Sequence, residues 1–124
     1  MTPEGPRSTW VLLVQSGEQD SLYEAAAMTA ADVSLGIAVT LIWFDAALDA
    51  LVSGRLAEDG GELRSASRLL AEAREAGTVR LLACSASIVD RRIDRDALAR
   101  SVDEVVGWPT AISLIRSAER SFVW

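Results

Sequence analysis

Strand-like runs alternate with helix-like segments along almost the whole chain, and this alternation constrains the fold more than any other feature. Trp10-Val11-Leu12-Leu13-Val14 is a continuous apolar run closing at Gln15-Ser16-Gly17, as expected of a strand buried on both faces. An alanine-rich segment follows, with Leu22, Ala25, Ala26, Thr29 and Val33 near one helical face. Ser21-Leu22-Tyr23-Glu24 offers a capping box at its start, with Asp20 as a rival cap, and Gly36 suits the residue after its end. Ile37 to Phe44 is rich in β-branched and aromatic residues and predicts the second strand. Asp45 then caps a short helix through Val52 that stops near Gly54. Glu58-Asp59-Gly60-Gly61 reads as a loop, and Glu62 to Ala76 as an amphipathic helix ended by Gly77. Thr78 to Ala83 is the third strand. A short helix starts near Asp94, Asp103 to Gly107 is a short fourth strand, Pro109 suits the first turn of a last helix, and Arg120 to Trp124 closes the chain as a strand. The pattern predicts one three-layer α/β/α sandwich over residues 8–124, with a mostly parallel sheet of about five strands, after a flexible lead at residues 1–7.

Composition narrows the chemistry. The chain holds 124 residues, no histidine and one cysteine, Cys84, and all 12 of its basic residues are arginine. Without histidine, Ser-His-Asp and Cys-His pairs are ruled out; without lysine, so are Schiff bases and the P-loop phosphate clamp. One thiol and no histidine cannot make a zinc site; a carboxylate-bound divalent ion stays open, but no EF-hand spacing is present, and no metal and no cofactor is expected. A net charge of −6 argues against non-specific nucleic-acid binding. The lone cysteine rules out an internal disulfide, the first residues lack the order of a signal peptide, and the longest apolar run falls short of the ~20 residues that span a bilayer. The expectation is a soluble cytoplasmic protein with no membrane and no nucleic-acid partner.

Functional groups in an open parallel sheet gather outside the carboxyl ends of the strands. Three points in the sequence fall there: Ser16-Gly17, Asp45 and Cys84-Ser85. Were Ser85 to Asp90 a helix, its N-terminus would lie beside the Cys84 thiol and favour the thiolate. Against this stands the packing role of many free cysteines, which behave as small buried hydrophobes. Ser16-Gly17 reads most simply as a turn, and Asp45 as a helix cap. A phosphate-accepting receiver site is set aside, because it needs an acidic pair after the first strand and a later lysine. Arg91 and Arg92 sit in a stretch of mixed charge that forms a solvated connection or, alternatively, an arginine rim around the thiol. Four tryptophans, with Trp124 either folding back or meeting a partner, lean towards a homo-oligomer.

The order and spacing of these features resemble the DsrE/DsrF-like family, which includes the TusD-type sulfur-relay proteins. The resemblance runs from about Trp10 to Trp124. It rests on the first strand and alanine-rich helix, Ala83-Cys84 at a strand end, Arg91-Arg92-Ile93 where family members carry an Arg-Gly-Val or Arg-Gly-Ile step, and Gly107-Trp108-Pro109 before the last helix. The resemblance implies small α/β/α subunits joined as dimers, trimers or hexamers. In sulfur-relay members the cysteine at the position of Cys84 accepts sulfane sulfur as a persulfide and passes it to a partner protein. Arg92 departs from the family glycine.

Two functional expectations follow. One is a sulfur carrier, or sulfurtransferase-like protein, working through Cys84 with donor and acceptor proteins. Ser16, Gly17, Asp45, Ser85 and Arg91 would line its substrate side. The alternative is a non-catalytic oligomeric binding or scaffolding module with a structural cysteine. A crevice joining Ser16, Asp45 and Cys84 for a small ligand is a third possibility.

Overall fold

The structure is a computed structural model that describes residues 8–57 and 65–124. The expected lead-in at 1–7 and the expected loop at Glu58-Asp59-Gly60-Gly61 lie outside the described residues. Five strands form one sheet: β1 (Thr9–Val14), β2 (Ala38–Trp43), β3 (Val79–Cys84), β4 (Glu104–Val106) and β5 (Arg120–Val123). Among the described residues six helices join them: α1 (Gln19–Ser34), α2 (Asp45–Ser53), α3 (Ala66–Ala76), α4 (Ser85–Asp90), α5 (Arg95–Ser101) and α6 (Trp108–Ser117), with a 3₁₀ turn at Arg55–Ala57. The sheet order is β4-β3-β2-β1-β5, and every pairing is parallel. The three-layer α/β/α expectation therefore holds, with a wholly parallel sheet.

Topology decides which face each helix covers. The chain steps from β1 through β4 in one direction, then reverses so that β5 lands beside β1. Right-handed crossovers place helices on one face for the first three steps and on the opposite face for the reversal. The two apolar clusters divide accordingly. The larger joins Leu12, Leu41, Trp43 and Leu81 of the sheet to residues of α1 through α5. The smaller joins Val11, Ile42, Phe44, Leu82, Cys84 and Val106 to Ala111 of α6.

Local chemistry sets the ends of the elements. Gly36 has φ +82°, its N–H donates to the Val33 carbonyl at 3.0 Å, and that of Ile37 donates to the Asp32 carbonyl at 3.0 Å. This is the paired bond pattern of a glycine-terminated helix. Gly54, at φ +83°, ends α2 in the same left-handed conformation. Gly77 serves packing instead. A Cβ there would lie 2.6 Å from Val33 Cγ1, so only glycine lets the α3–β3 turn press against α1.

One start differs from expectation. α1 begins at Gln19, two residues before the Ser21–Glu24 box, because Ser16 Oγ accepts the Glu18 N–H at 3.1 Å and turns the chain early. α3 is described from Ala66, with Ser65 extended before it and the Ser65 hydroxyl accepting the Arg68 N–H at 3.2 Å; the expected start at Glu62 lies outside the described residues. Trp124 folds back: its N–H donates to Leu13 at 2.8 Å, its indole to Glu24 Oε1 at 3.3 Å, and its ring lies 6.2 Å from that of Phe122. No helix among the described residues is long and apolar enough to cross a membrane.

Candidate functional site

Parallel register brings the predicted points to one edge. Val14 pairs with Trp43, Trp43 with Ala83, and Cys84 with Val106, so the loops after β1, β2, β3 and β4 emerge side by side. β1 and β3 flank β2, so the strand that leads into Ser16 and the strand that ends at Cys84 lie roughly 10 Å apart.

The Ser16-Gly17 turn is closely packed. A Cβ on Gly17 would sit 3.0 Å from the Ala46 carbonyl oxygen, so any larger residue would crowd the turn against the start of α2. The Gly17 carbonyl accepts from Arg55 Nη2 at 2.9 Å. An open hollow of about 610 Å³ lies outside this turn, lined by Ser16, Gly17, Gln19 and Arg55 among others.

Asp45 carries the strain of the edge. It is the first residue of α2 rather than its cap, and its φ is +46°, in the left-handed region that costs a non-glycine residue about 1–2 kcal/mol. Buried Ser87 holds it there: the Asp45 N–H donates to Ser87 Oγ at 3.0 Å, and that hydroxyl faces Asp45 Oδ1 at 3.4 Å. Sequence reasoning missed Ser87. Its signal is the Cys-x-x-Ser spacing at a strand-to-helix step, which aims a hydroxyl back at the neighbouring strand end.

Cys84 ends β3 and stands just before α4. Its side chain is 2% exposed and lies on the α6 side of the sheet, within the apolar cluster of Val11, Ile42, Phe44, Leu82, Val106 and Ala111. Trp108, at the start of α6, stacks on Phe44 with ring centroids 5.1 Å apart and is itself half exposed. Ser85 is partly exposed beside Gly107. Arg91 pairs with Asp49 on α2, so its guanidinium is engaged there and not with the thiol. Arg92 has φ +51° and closes α4 through N–H bonds to Val89 (3.3 Å) and from Ile93 to Ile88 (3.1 Å). Among the described residues no three His, Cys, Asp or Glu side chains gather in a way that could hold a metal ion.

The β3–β4 gap is where the connections switch from one face of the sheet to the other. The loop after β3 leads towards helices on one face, whereas the loop after β4 leads into α6 on the other. Such gaps at the carboxyl edge are where open parallel sheets place ligands. Cys84, Ser85, Gly107 and Trp108 surround this one.

No family model matches the chain, and no curated protein matches it. Six chains of known structure do match. One of them is a protein of unknown function, MTH1491, from Methanobacterium thermoautotrophicum. It is similar with a TM-score of 0.68 and 14% sequence identity, over 93% of this chain and 98% of that one. The likeness shows a shared α/β/α fold.

Proposed function

We propose that this chain is a DsrE-like binding or scaffolding module that self-associates through the face carrying α6, with Cys84 as part of its packing. One observation carries the reading: Cys84 is 2% exposed and packs in a hydrophobic cluster against α6. A persulfide relay needs a thiolate that a partner's sulfur can reach in line. Here the side chain lies inside the α6 layer, and α4 is six residues long, too short for a strong helix-terminal field. Self-association is supported by Trp108 and Ile112, each about half exposed on α6.

The sulfur-carrier reading has one feature in its favour. Cys84 borders the β3–β4 gap, and the ring stack beside that gap ends in an exposed Trp108 that a partner could displace. The two readings separate in one experiment. The folded protein is treated with iodoacetamide, and separately with cysteine and a cysteine desulfurase, and both products are weighed intact. The module reading expects alkylation at least about a hundredfold slower than for the unfolded chain, because labelling requires opening of the buried site, and no sulfur adduct. A sulfur adduct on the parent that disappears in Cys84→Ala would establish the carrier reading instead.

A further inference from the structure

The opposite face of the sheet holds a groove that belongs to none of these features. It runs between α3 and the α5–β4 connection and encloses about 500 Å³, within the size range of small-molecule sites. Leu51, Leu56, Leu70 of α3, Leu81 of β3 and Val102 give it an apolar floor. Leu56, Leu70 and Leu81 are core residues, so the floor is fixed by packing rather than by mobile side chains.

The charges at its mouth are unequal. Arg74 makes a two-pronged pair with Asp103, Nη2–Oδ1 at 2.8 Å and Nη1–Oδ2 at 3.2 Å, and Asp103 Oδ2 also accepts the Leu81 N–H at 2.8 Å. The Arg74 hydrogen bond holds the Asp103 carboxyl below its ordinary range, so this pair stays ionised and mutually neutralised. Arg100 also lines the groove, and among the described residues it belongs to none of the ion pairs. The groove therefore offers one uncommitted guanidinium above an apolar floor, in a protein whose net charge is −6. Ser67 adds a hydroxyl at the same rim. A guanidinium fork matches a carboxylate in two parallel hydrogen bonds, and a leucine floor matches a hydrocarbon chain.

We propose that the groove between α3 and α5 binds a small amphipathic carboxylate, its hydrocarbon chain on the leucine floor and its head on Arg100. The site lies across the sheet from Cys84, so it stands or falls apart from either reading of that thiol.

Octanoate is the probe, titrated calorimetrically into the full chain, with 1-octanol as its uncharged counterpart. The expected result is saturable one-site binding of octanoate. Arg100→Gln weakens it about tenfold, the equivalent of one charge-assisted hydrogen bond, and leaves 1-octanol unchanged. Ala71→Trp, which fills the groove from an exposed position on its rim, abolishes binding of both. Both substitutions fall on exposed helix positions, and matching circular dichroism spectra verify the folds. The proposal is overturned if octanoate shows no saturable binding, if Arg100→Gln binds it as tightly as the parent, or if folded Ala71→Trp still binds it.

Discussion

Asp32 is the residue most at odds with its surroundings. It falls on the inward face of α1 with Leu22, Ala25, Ala26, Thr29 and Val33, and it is only 4% exposed. Its Oδ2 has no hydrogen-bond partner among the described residues, and burial raises the carboxyl pKa from 3.8 to about 6. It also stands in the last turn of α1, where the helix dipole disfavours an anion. The folded state thus holds this proton more tightly than the unfolded chain. Stability from this group is complete below pH 3.8, falls as pH rises, and is lost above about 6, an effect of up to roughly 3 kcal/mol. Asp32→Asn keeps the shape and removes the titration. Urea unfolding should find the variant more stable than the parent by about 1–3 kcal/mol at pH 7.5, with a much smaller gap at pH 4.5. Asp103 titrates in the opposite direction but is common to both proteins and cancels in the difference. A gap that is absent, or equal at both pH values, would count against an ionised buried Asp32.

At the scale of elements, α4 ends on an arginine where a glycine fits best. Arg92 occupies the left-handed position of a complete helix-terminating motif, with the same bond pattern that Gly36 gives α1. This is also the position at which the DsrE-like resemblance calls for glycine. Arg92→Gly relieves the strained φ and admits more freedom in the unfolded chain, for a net gain of about 0.5–1 kcal/mol. A higher denaturation midpoint with an unchanged slope is the expected outcome, and a lower midpoint would refute the strain. The same motif explains what could be read beforehand. Strand and helix order, Gly36 and Gly54 were legible because apolar runs and glycine stops are local signals. The start of α1 was not, because Ser16 uses its hydroxyl in a way that competes with the Ser21–Glu24 box. The site was half legible. Strand ends could be counted from sequence, which brought Ser16, Asp45 and Cys84 to one edge. The face taken by Cys84 could not be counted, since a run apolar on both sides hides the parity that decides it.

At the scale of the whole molecule, the reversal after β4 leaves one face of a five-stranded sheet to a single ten-residue helix among the described elements. α6 directs Ala111, Leu114 and Ile115 inward, yet Trp108 and Ile112 remain about half exposed. Val123 pairs in register with Leu13, so it lies on the same face, and it is 61% exposed. The other face has five helices to cover it, and its aromatic edge is closed by Trp10, Phe122 and Trp124. A second copy laid against α6 would bury Trp108, Ile112 and Val123 together, which is the chemistry of an interface core with an aromatic anchor. Sedimentation velocity should then give a species heavier than the 13.3 kDa chain at micromolar concentration. Ile112→Lys should return it to the monomer, because a charge at the centre of an apolar contact stays unpaired there. The position is exposed in the single chain, so circular dichroism and thermal unfolding of the monomeric variant should stay close to native. A parent that sediments as a monomer at every concentration would overturn self-association through α6. An Ile112→Lys protein that remains assembled would place the contact elsewhere, with the β4 and β5 sheet edges as the next positions to substitute.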